Sequence, residues 1–397
     1  MDPIRNPYAP GAGQRPPELA GRDVQLEAFR FVLERVAKGR PERSIVLVGL
    51  RGVGKTVLLN AMRSQAVRAG WGTGKLEARP DQAIRRPLGA ALHMALRELG
   101  HPAPTGVLST LKAFVERAAS PTAKAYDRWN SGISAPTVTG RGDSGDIEID
   151  LVELLGDVAG LGADKGKGVA IFIDEMQDLG ADDVSALCAA CHELGQQGLP
   201  LIIVGAGLPH LPAVLSASKS YSERLFSYSR IDRLDRESAD LALAVPAADE
   251  AAQFTPDALA EMYRITSGYP YFVQAYGKTV WDVAPRSPIT AEDVAVAAPQ
   301  AEHELAVGFF GSRLERATSA EREYLRAMAD ADPDDAGAVL SARVAEVLAR
   351  KPQSLSPARD ALIKKGLIYA SERGRIAFTV PLFGRFLRGR AEIADSA

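Results

Sequence analysis

Three short apolar runs toward the amino-terminal side of the chain predict buried β-strands. They span residues 44–48, 169–173 and 201–204, and each is nearly continuous in hydrophobic side chains. Such runs, separated by helical stretches, are typical of a parallel sheet that helices cover on both faces. A helical apolar stripe over residues 23–37 and a helix predicted from about Lys55 fit this arrangement. The pattern therefore predicts an α/β core that ends near residue 235.

The chain beyond this core is predicted to be helical up to about residue 300. Thr255-Pro256 has the composition of a helix start, with a capping side chain followed by proline in first position. Gly268 suits a helix end, and Pro270 suits the start of the next helix. These helices form a predicted lid.

The last section, residues 315–390, combines helices with a small hairpin. Thr318 and Glu321 have the spacing of a capping box, and Ser356-Pro357 is predicted to start a helix that ends at Gly366. Arg373-Gly374 is predicted to form the turn of a hairpin. Predicted strands over residues 367–370 and 375–380 flank that turn. Helices followed by a β-hairpin predict a winged helix-turn-helix domain.

These patterns divide the chain into four predicted segments. An amino-terminal stretch with five prolines is expected to form an extended arm, because proline fixes φ and removes a backbone donor. A loose stretch between Ser120 and Gly168 is expected to be a long connection within the core, with one helix-like part near residues 151–158. The predicted segments are the arm 1–20, the core 21–234, the helical lid 235–304 and the winged helix domain 305–397.

Composition and charge exclude several classes of protein. The 397 residues are 46% hydrophobic and 24% charged, as in soluble globular proteins with an ample core. The formal charge of −3 means that any nucleic-acid-binding face has to be local. Two cysteines cannot build a disulfide framework, the amino terminus has no apolar signal core, and no apolar run approaches the roughly 18 residues that span a bilayer. We therefore expect a cytoplasmic protein without membrane contact.

The turn after the first strand carries a phosphate-binding motif. Gly49-Leu50-Arg51-Gly52-Val53-Gly54-Lys55-Thr56 matches the Walker A pattern G-x-x-x-x-G-K-[ST], with a strand before it and a helix after it. The glycines let backbone N–H groups point inward around an anion, and the start of the helix adds positive potential. Lys55 supplies a full charge to the β- and γ-phosphates, and the Thr56 hydroxyl is a ligand for Mg²⁺. The predicted set of ATP-binding residues extends to Val57.

Two acids at the end of the second predicted strand complete this site. The apolar run 169–173 leads directly into Asp174-Glu175. A carboxylate at the carboxyl end of a parallel strand lies beside the ligand crevice of the sheet. Asp174 is therefore predicted to hold Mg²⁺ through water, as in a Walker B motif. Glu175 is predicted to orient and deprotonate the water that attacks the γ-phosphate.

Further features of the sequence resemble one family. They are Asn6-Pro7-Tyr8 in the arm, Gly21-Arg22-Asp23, the phosphate loop, Ile173-Asp174-Glu175-Met176-Gln177-Asp178, Gly205-Ala206-Gly207-Leu208-Pro209, Gly268-Tyr269-Pro270 and the winged helix. Over nearly its whole length the chain is similar to bacterial AAA-type ATPases related to the origin-recognition-complex initiators. The resemblance implies that Arg22 lies on the base side of the nucleotide and that the lid, with Pro270, lies over it. It also implies an arginine at the γ-phosphate, with Arg224 as the first candidate and Arg230 as the second.

Two departures from the family pattern bear on activity. The third predicted strand leads into Gly205-Ala206-Gly207, where these ATPases usually have a polar sensor residue. The lid has Gly268-Tyr269-Pro270 in place of the Gly-x-Arg of initiators, which is closer to the Gly-x-Pro of STAND-type signalling ATPases. We therefore expect Mg²⁺–ATP binding with slow hydrolysis, as in a switch rather than a fast motor.

Two motifs are interpreted as structural or accidental. Cys188-Ala189-Ala190-Cys191-His192 matches the haem-attachment pattern, but on a helix its two thiols share a buried face. Arg141-Gly142-Asp143 is an adhesion tripeptide, which a cytosolic loop would not present to a receptor. The five histidines lack metal-ligand spacing, so Mg²⁺ with the nucleotide is the one metal expected.

The predicted winged helix carries a local positive charge. Residues 341–390 contain 11 Lys and Arg against 3 Asp and Glu. This asymmetry favours salt-dependent contact with DNA phosphates, through a recognition helix near residues 357–365 and a wing with Arg373 and Arg375. The basic residues predicted on that helix are Arg359, Lys364 and Lys365. The alternative is that this domain docks against protein and that its basic side chains are solvated.

Two functions remain open at this point. The first is a cytoplasmic ATPase that switches conformation on ATP binding and hydrolysis, with duplex DNA as a candidate partner and with Arg224 acting in a neighbouring subunit. The second is a STAND-like nucleotide-gated switch that binds another protein, with little turnover and no DNA. A small-molecule kinase on the same fold is disfavoured, because acceptor-binding lids do not resemble a winged helix.

Overall fold

The computed structural model describes residues 1–100, 104–116, 133, 135–136, 140–335 and 337–395, so part of the predicted connection between Ser120 and Gly168 lies outside the described residues. The chain forms two compact units. The core unit consists of Arg22–Gly49 and Lys55–Arg230, and the C-terminal unit consists of Met1–Gly21, Leu50–Gly54 and Ile231–Ala397. The short segment Leu50–Gly54 thus groups with the C-terminal unit, although core residues flank it in the sequence.

A five-stranded parallel sheet forms the centre of the core unit, as the sequence predicted. Its strands are β1 (Ser44–Val48), β2 (Gly72–Glu77), β3 (Val169–Asp174), β4 (Leu201–Gly207) and β5 (Phe226–Arg230). They lie in the order β2-β3-β4-β1-β5, and every pairing is parallel. The three predicted strands are β1, β3 and β4, and they occupy the three central positions. These positions are the ones that a continuous apolar run predicts.

The two edge strands are the ones that the hydrophobic pattern did not predict. β2 contains two glycines instead of an apolar run, and helix α3 (Arg85–Glu98) lies directly over them. A Cβ at Gly74 would come within 2.4 Å of the Ala91 carbonyl oxygen, so the helix packs on bare backbone. β5 is an edge strand of sequence Phe-Ser-Tyr-Ser-Arg, in which only Phe226 is buried. Neither strand therefore produces a hydrophobic signal.

Helices from the described residues cover this sheet. They are α1 (Asp23–Val36), α2 (Lys55–Arg68), α3, α4 (Thr105–Glu116), α5 (Ile147–Asp164), α6 (Ala181–Gln196) and α7 (Leu211–Ser218). α1 packs through Phe29, whose ring meets that of Phe172 in β3 edge-on at 6.1 Å. α5 includes the helix-like stretch predicted near residues 151–158 but is longer, and its buried Asp150 pairs with Arg85 at 2.7 Å. Each helix in the described parts of the chain is too short or too polar to cross a lipid bilayer.

The C-terminal unit starts with helices, and two of them begin where Thr255-Pro256 and Pro270 predicted. The helices are α8 (Arg236–Asp249), α9 (Pro256–Thr266), α10 (Pro270–Val283) and α11 (Ala291–Glu304), and a π-helical segment, Leu305–Gly311, leads on to α12 (Ser312–Leu314). The Thr255 side chain accepts the Ala258 N–H at the start of α9, and both α9 and α10 have proline in first position. The amino-terminal stretch packs on these helices through Tyr8, which is buried and donates its hydroxyl hydrogen to Leu243 O at 2.6 Å.

The remainder of the C-terminal unit combines helices with a three-stranded antiparallel sheet. The elements are α13 (Ser319–Ala331), β6 (Ala338–Leu340), α14 (Ser341–Val347), α15 (Pro352–Lys364), β7 (Ile368–Glu372), β8 (Arg375–Phe378) and α16 (Phe383–Asp395). The strands lie in the order β6-β8-β7. Thr318 and Glu321 form the predicted capping box before α13. β7 and β8 form the predicted hairpin around Arg373-Gly374.

One predicted helix start is wrong. The sequence placed it at Ser356-Pro357, but α15 begins at Pro352, and Pro357 lies inside the helix. The buried face explains the difference, because it already begins at Leu355 and continues at Leu362. The helix therefore has to include the turn before Pro357. The predicted end is confirmed, since Gly366 follows directly after the capping residue.

Candidate functional site

A glycine-rich loop joins the carboxyl end of β1 to α2. Gly52 and Gly54 have φ angles of 83° and 91°, in the left-handed region that glycine adopts without strain. Such a backbone lets several N–H groups face one anion. α2 starts at Lys55, so the positive end of the helix dipole is joined directly to the loop. These are the features of a loop that binds phosphate.

Lys55 is the buried cation of this loop. It is 8% exposed, and its Nζ donates to the Gly49 carbonyl oxygen at 2.9 Å. Gly49 is itself tied to β4, because its N–H donates to Gly207 O at 3.1 Å. A buried ammonium group is costly unless hydrogen bonds and an anion offset its charge. Lys55 is therefore placed to bind phosphate.

Asp174 and Glu175 lie at the same edge of the sheet as Gly49. β3 pairs with β4 and β4 pairs with β1, and their register brings the carboxyl ends of the three strands together. Asp174 is 6% exposed, and its Oδ1 accepts the Glu175 N–H at 3.0 Å. Glu175 has φ 48° and ψ 41°, a left-handed conformation that costs a non-glycine residue about 1–2 kcal/mol. Local strain of this kind is concentrated at functional sites.

The oxygen atoms near this edge suit a magnesium ion. The Asp174 carboxylate and the Thr56 hydroxyl are hard oxygen ligands, and they come from elements that pack together, β3 and α2. Mg²⁺ keeps several of its waters and needs only one or two protein ligands. The described residues contain no cluster of three or more His, Cys, Asp or Glu side chains suited to a metal ion.

Gln177 is a site residue that the sequence pattern did not reveal. It lies in the 3₁₀ turn Met176–Asp178, directly after Glu175. Its Nε2 donates to Glu175 Oε2 at 2.7 Å, and its Oε1 accepts the Leu208 N–H at 3.0 Å. The signal that could have found it is a carboxamide two residues after the second acid, together with the glycines that end β4.

The C-terminal unit holds the middle of the phosphate loop. The Arg51 N–H donates to Thr379 O at 2.8 Å, just after β8. The Tyr271 N–H, in the first turn of α10, donates to Gly52 O at 3.2 Å. Pro270, which the family resemblance places over the nucleotide, is the neighbour of Tyr271 and starts that turn. The loop segment is thus bonded both to the first turn of α10 and to the residue that follows β8.

The arginines proposed for the site lie in three different places. Arg22 is buried at the start of α1. Arg224 is exposed and precedes β5, whose first residue pairs with the first residue of β1. It therefore lies at the opposite end of the sheet from Gly49, and the structure does not bring it to the phosphate loop of its own chain. Arg230 pairs with the last residue of β1 and so lies at the same end as Gly49.

The cysteines and the Arg-Gly-Asp loop have packing roles. Cys188 is fully buried, and burial raises the pKa of Cys191 to about 12, so this thiol stays protonated. Arg141 pairs with Asp157 of α5 at 2.7 Å, which holds the loop against that helix. Both motifs are therefore accounted for by contacts within the core unit.

The parallel sheet, the glycine-rich loop at the start of α2 and the acids after β3 define a P-loop nucleotide-binding fold. Residues 18–204 match the family model of the AAA ATPase domain. Residues 18–204 therefore form an AAA-type ATPase domain, as predicted. Residues 307–387 match a second model, a domain of unknown function, DUF8462. No match was found among curated proteins.

Three solved structures resemble the chain over most of its length. The Walker-type ATPase paby2304 of Pyrococcus abyssi has 17% sequence identity and a TM-score of 0.57, over 94% of this chain and 97% of that one. The RuvB Holliday junction branch migration motor of Thermotoga maritima has 16% identity and a TM-score of 0.45, over 92% and 96%. Cdc6p from Pyrobaculum aerophilum has 14% identity and a TM-score of 0.46, over 98% and 99%. The similarity to the Pyrococcus ATPase establishes the fold.

Proposed function

We propose that this protein uses ATP binding and hydrolysis to switch the conformation of its C-terminal unit. The observation that carries this proposal is the pair of backbone hydrogen bonds within that unit, from the Arg51 N–H to Thr379 O and from the Tyr271 N–H to Gly52 O. A loop that orders around a phosphate group redirects its own backbone groups. Because other residues of the unit bind these same groups, a change of nucleotide would alter those bonds.

Two arginines support the same proposal: Arg51, which belongs to the phosphate loop, and Arg313, whose charge interacts with that of Arg51. Burial, together with the nearby Arg51 guanidinium, lowers the pKa of Arg313. Arg313 is held in place by Phe309, with its guanidinium carbon 4.1 Å from the ring centroid. Like charges repel each other, and more strongly where water is partly excluded. Negative charge arriving at the loop would relieve the repulsion, which gives the C-terminal unit a preference for one nucleotide state.

The core unit supplies the groups for hydrolysis. Lys55 binds the phosphates, and Thr56 and Asp174 would hold Mg²⁺, which when bound neutralises charge on the phosphates. Glu175 accepts a proton from the attacking water, whose oxygen forms the new bond to the γ-phosphorus. The bond from that phosphorus to the bridging oxygen breaks, and ADP leaves with the electron pair. We propose slow turnover because β4 ends in Gly205-Ala206-Gly207, without a polar side chain of its own.

The division into four segments is part of this proposal. The arm is residues 1–20, the core 21–234, the lid 235–304 and the winged helix domain 305–397. In support, α8 to α11 lie within the lid, and the β7–β8 hairpin would be the wing. Arg22 and Pro270 are proposed as the base-side and lid contacts of the nucleotide.

Amide hydrogen exchange tests the switch. With Mg²⁺ and a non-hydrolysable ATP analogue, we expect exchange at Arg51, at Tyr271 and across residues 366–380 to change by at least about tenfold relative to the nucleotide-free protein, because these amides lose or gain partners. The Lys55→Ala variant with the same additions is the control, and its exchange should not change. Differences confined to residues 55–57 and 174–175 would contradict a switch.

We propose that Arg224 acts on the nucleotide of a neighbouring subunit. The support is its position at the opposite end of the sheet, where it lines a cleft of about 510 Å³. Further arginines line the same cleft: Arg35, Arg40 and Arg43. Guanidinium groups suit phosphate because they donate two parallel hydrogen bonds. Glu42 lines the cleft too and pairs with Arg35, but the balance of charge is positive and fits an anionic group that is brought by another copy of the chain.

Duplex DNA is a second proposed ligand, for the C-terminal domain. The charge imbalance of residues 341–390 supports it. Partners inside the domain include Glu321 for Lys365, Asp360 for Arg359 and the Ala338 carbonyl oxygen for Arg375. Lys364 is exposed at the end of α15, and Arg373 is exposed at the tip of the hairpin. This distribution favours the wing over the helix as the main contact with phosphates.

Gel-shift titration over a salt series tests this ligand. Affinity for a DNA duplex should fall steeply as salt rises, and the Arg373→Ala/Arg375→Ala variant should reduce the salt slope by about 2, since each phosphate contact contributes about one unit. Arg264→Ala, which removes an exposed arginine of α9 paired with Glu261, is the matched control and should change nothing. Absence of a shift even at low salt would exclude DNA and favour a protein partner.

A further inference from the structure

Gln177 bridges the acid pair and the end of β4. Its Nε2 donates to Glu175 Oε2 at 2.7 Å, and its Oε1 accepts the Leu208 N–H at 3.0 Å. The orientation of the carboxamide is fixed by chemistry, because a carboxylate only accepts hydrogen bonds and a backbone N–H only donates them. One side chain therefore ties the proposed general base to the end of a different strand.

The glycines at the end of β4 make room for this bridge. A Cβ at Gly207 would lie 2.6 Å from both Gln177 Oε1 and Leu211 Cδ2, and a Cβ at Gly205 would lie 2.4 Å from Met176 Sδ. These distances are too short for real contacts. The side chains of the turn after Glu175 thus fill the space that side chains of β4 would otherwise occupy.

The conformation of Glu175 makes such support important. Its backbone is left-handed, and its N–H is bound by Asp174 Oδ1 at 3.0 Å, so the backbone is held, whereas the orientation of the side chain depends on several rotatable bonds. Fixing a flexible side chain costs conformational entropy, which a hydrogen bond can offset. A bond to an ionised acceptor is stronger than one between neutral groups. The Gln177 amide is therefore suited to hold the carboxylate in one orientation.

We propose that Gln177 is a positioning residue for ATP hydrolysis. It holds one oxygen of the Glu175 carboxylate so that this group can take the proton of the attacking water. This inference rests on the proposed role of Glu175 as the general base. Because Gln177 acts through Glu175, its loss should slow hydrolysis and leave nucleotide affinity unchanged.

Gln177→Met tests this role because it keeps the length of the side chain and removes both hydrogen bonds. With full-length protein in excess over Mg²⁺–ATP, we expect the single-turnover rate to fall by about 10- to 100-fold, the range for loss of a hydrogen bond to a charged group. The dissociation constant of a non-hydrolysable ATP analogue should stay within about twofold. Gln177→Glu, which keeps an acceptor for Leu208 but places a second negative charge beside Glu175, should be at least as slow.

A matched control variant and a second variant that disturbs the Gln177 bridge distinguish a positioning role from a general loss of structure. Gln197→Met removes an exposed glutamine whose Nε2 donates to Glu193 at 3.1 Å, and it should leave the rate unchanged. Gly207→Ala places a methyl group against Gln177 Oε1 and should slow hydrolysis as Gln177→Met does. In a Gln177→Ala background the same change should cause a smaller further loss, because the bridge is already gone and only the contact of the added Cβ with Leu211 Cδ2 remains. An unchanged melting temperature shows that each variant is folded.

The outcomes distinguish this inference from the proposed function. If Gln177→Met hydrolyses ATP at the wild-type rate while Glu175→Gln is inactive, the positioning role is overturned and the general base stands. Weaker binding of the analogue by Gln177→Met also overturns it, since the residue would then act on affinity. If Glu175→Gln is as fast as the wild type, or the wild type does not hydrolyse ATP, the proposed hydrolysis mechanism fails and this inference fails with it.

Discussion

Lys55→Ala is expected to abolish ATP binding. The variant removes the one ammonium group buried in the phosphate loop, which is held at 2.9 Å from Gly49 O. Hydrogen bonds from a cation to phosphate are among the strongest in proteins. The loss of about 3 kcal/mol, the upper end for a bond with a charged partner, weakens binding about 100-fold. Isothermal titration calorimetry with Mg²⁺ and an ATP analogue should therefore register no heat at concentrations that saturate the wild type.

The control for this experiment is another lysine of the core unit. Lys38 is exposed just after α1, and Lys38→Ala should bind the analogue like the wild type. Circular dichroism and thermal melting establish that both variants are folded. If Lys55→Ala binds within about threefold of the wild type, the loop is not the phosphate site, since a lost charged hydrogen bond costs more than that.

Glu175→Gln is expected to bind ATP and to stop its hydrolysis. The substitution keeps the size of the side chain but removes the group that accepts the proton of the attacking water. General-base catalysis contributes about 10²- to 10⁴-fold, so the rate of phosphate release should fall by at least about 100-fold. The dissociation constant of the ATP analogue should remain within about threefold, because the carboxylate is assigned to the water and not to the phosphates.

Glu193→Gln provides the comparison for this variant. Glu193 is an exposed glutamate of α6 in the same unit, and its replacement should not affect phosphate release. Phosphate release by Glu175→Gln at the wild-type rate would remove Glu175 from its role, and the left-handed backbone at this residue would then need another explanation.

The strands that the sequence predicted and those it did not differ in their surroundings. β1, β3 and β4 are buried on both faces, so their burial leaves an apolar run that can be recognised from composition. β2 is buried as well, but its contact with α3 depends on the absence of side chains at Gly72 and Gly74. The glycines of β2 are explained only by the helix that packs on them, and the periodicity of the sequence does not show which helix that is.

In the candidate site, too, the features that local sequence predicts differ from those that depend on tertiary contacts. The phosphate loop and the acid pair are contiguous motifs whose residue types follow from phosphate and magnesium chemistry, so the sequence predicts them. The bridge from Gln177 to Leu208 joins positions 31 residues apart, and neither is unusual in composition. Its two ends meet only because β3 and β4 are adjacent in the sheet. The bond from Arg51 to Thr379 likewise depends on tertiary packing, and no local sequence pattern predicts it.

That bond between Arg51 and Thr379 restricts how such a protein can be recombined. The donor belongs to the region 18–204 that matches the ATPase family, whereas the acceptor comes from the other end of the chain. A chimera that joined this ATPase region to a foreign carboxyl-terminal module would keep every hydrolytic side chain and lose the acceptor. Exchange of modules between relatives would then succeed only when residues 50–54 are transferred together with the module that they contact.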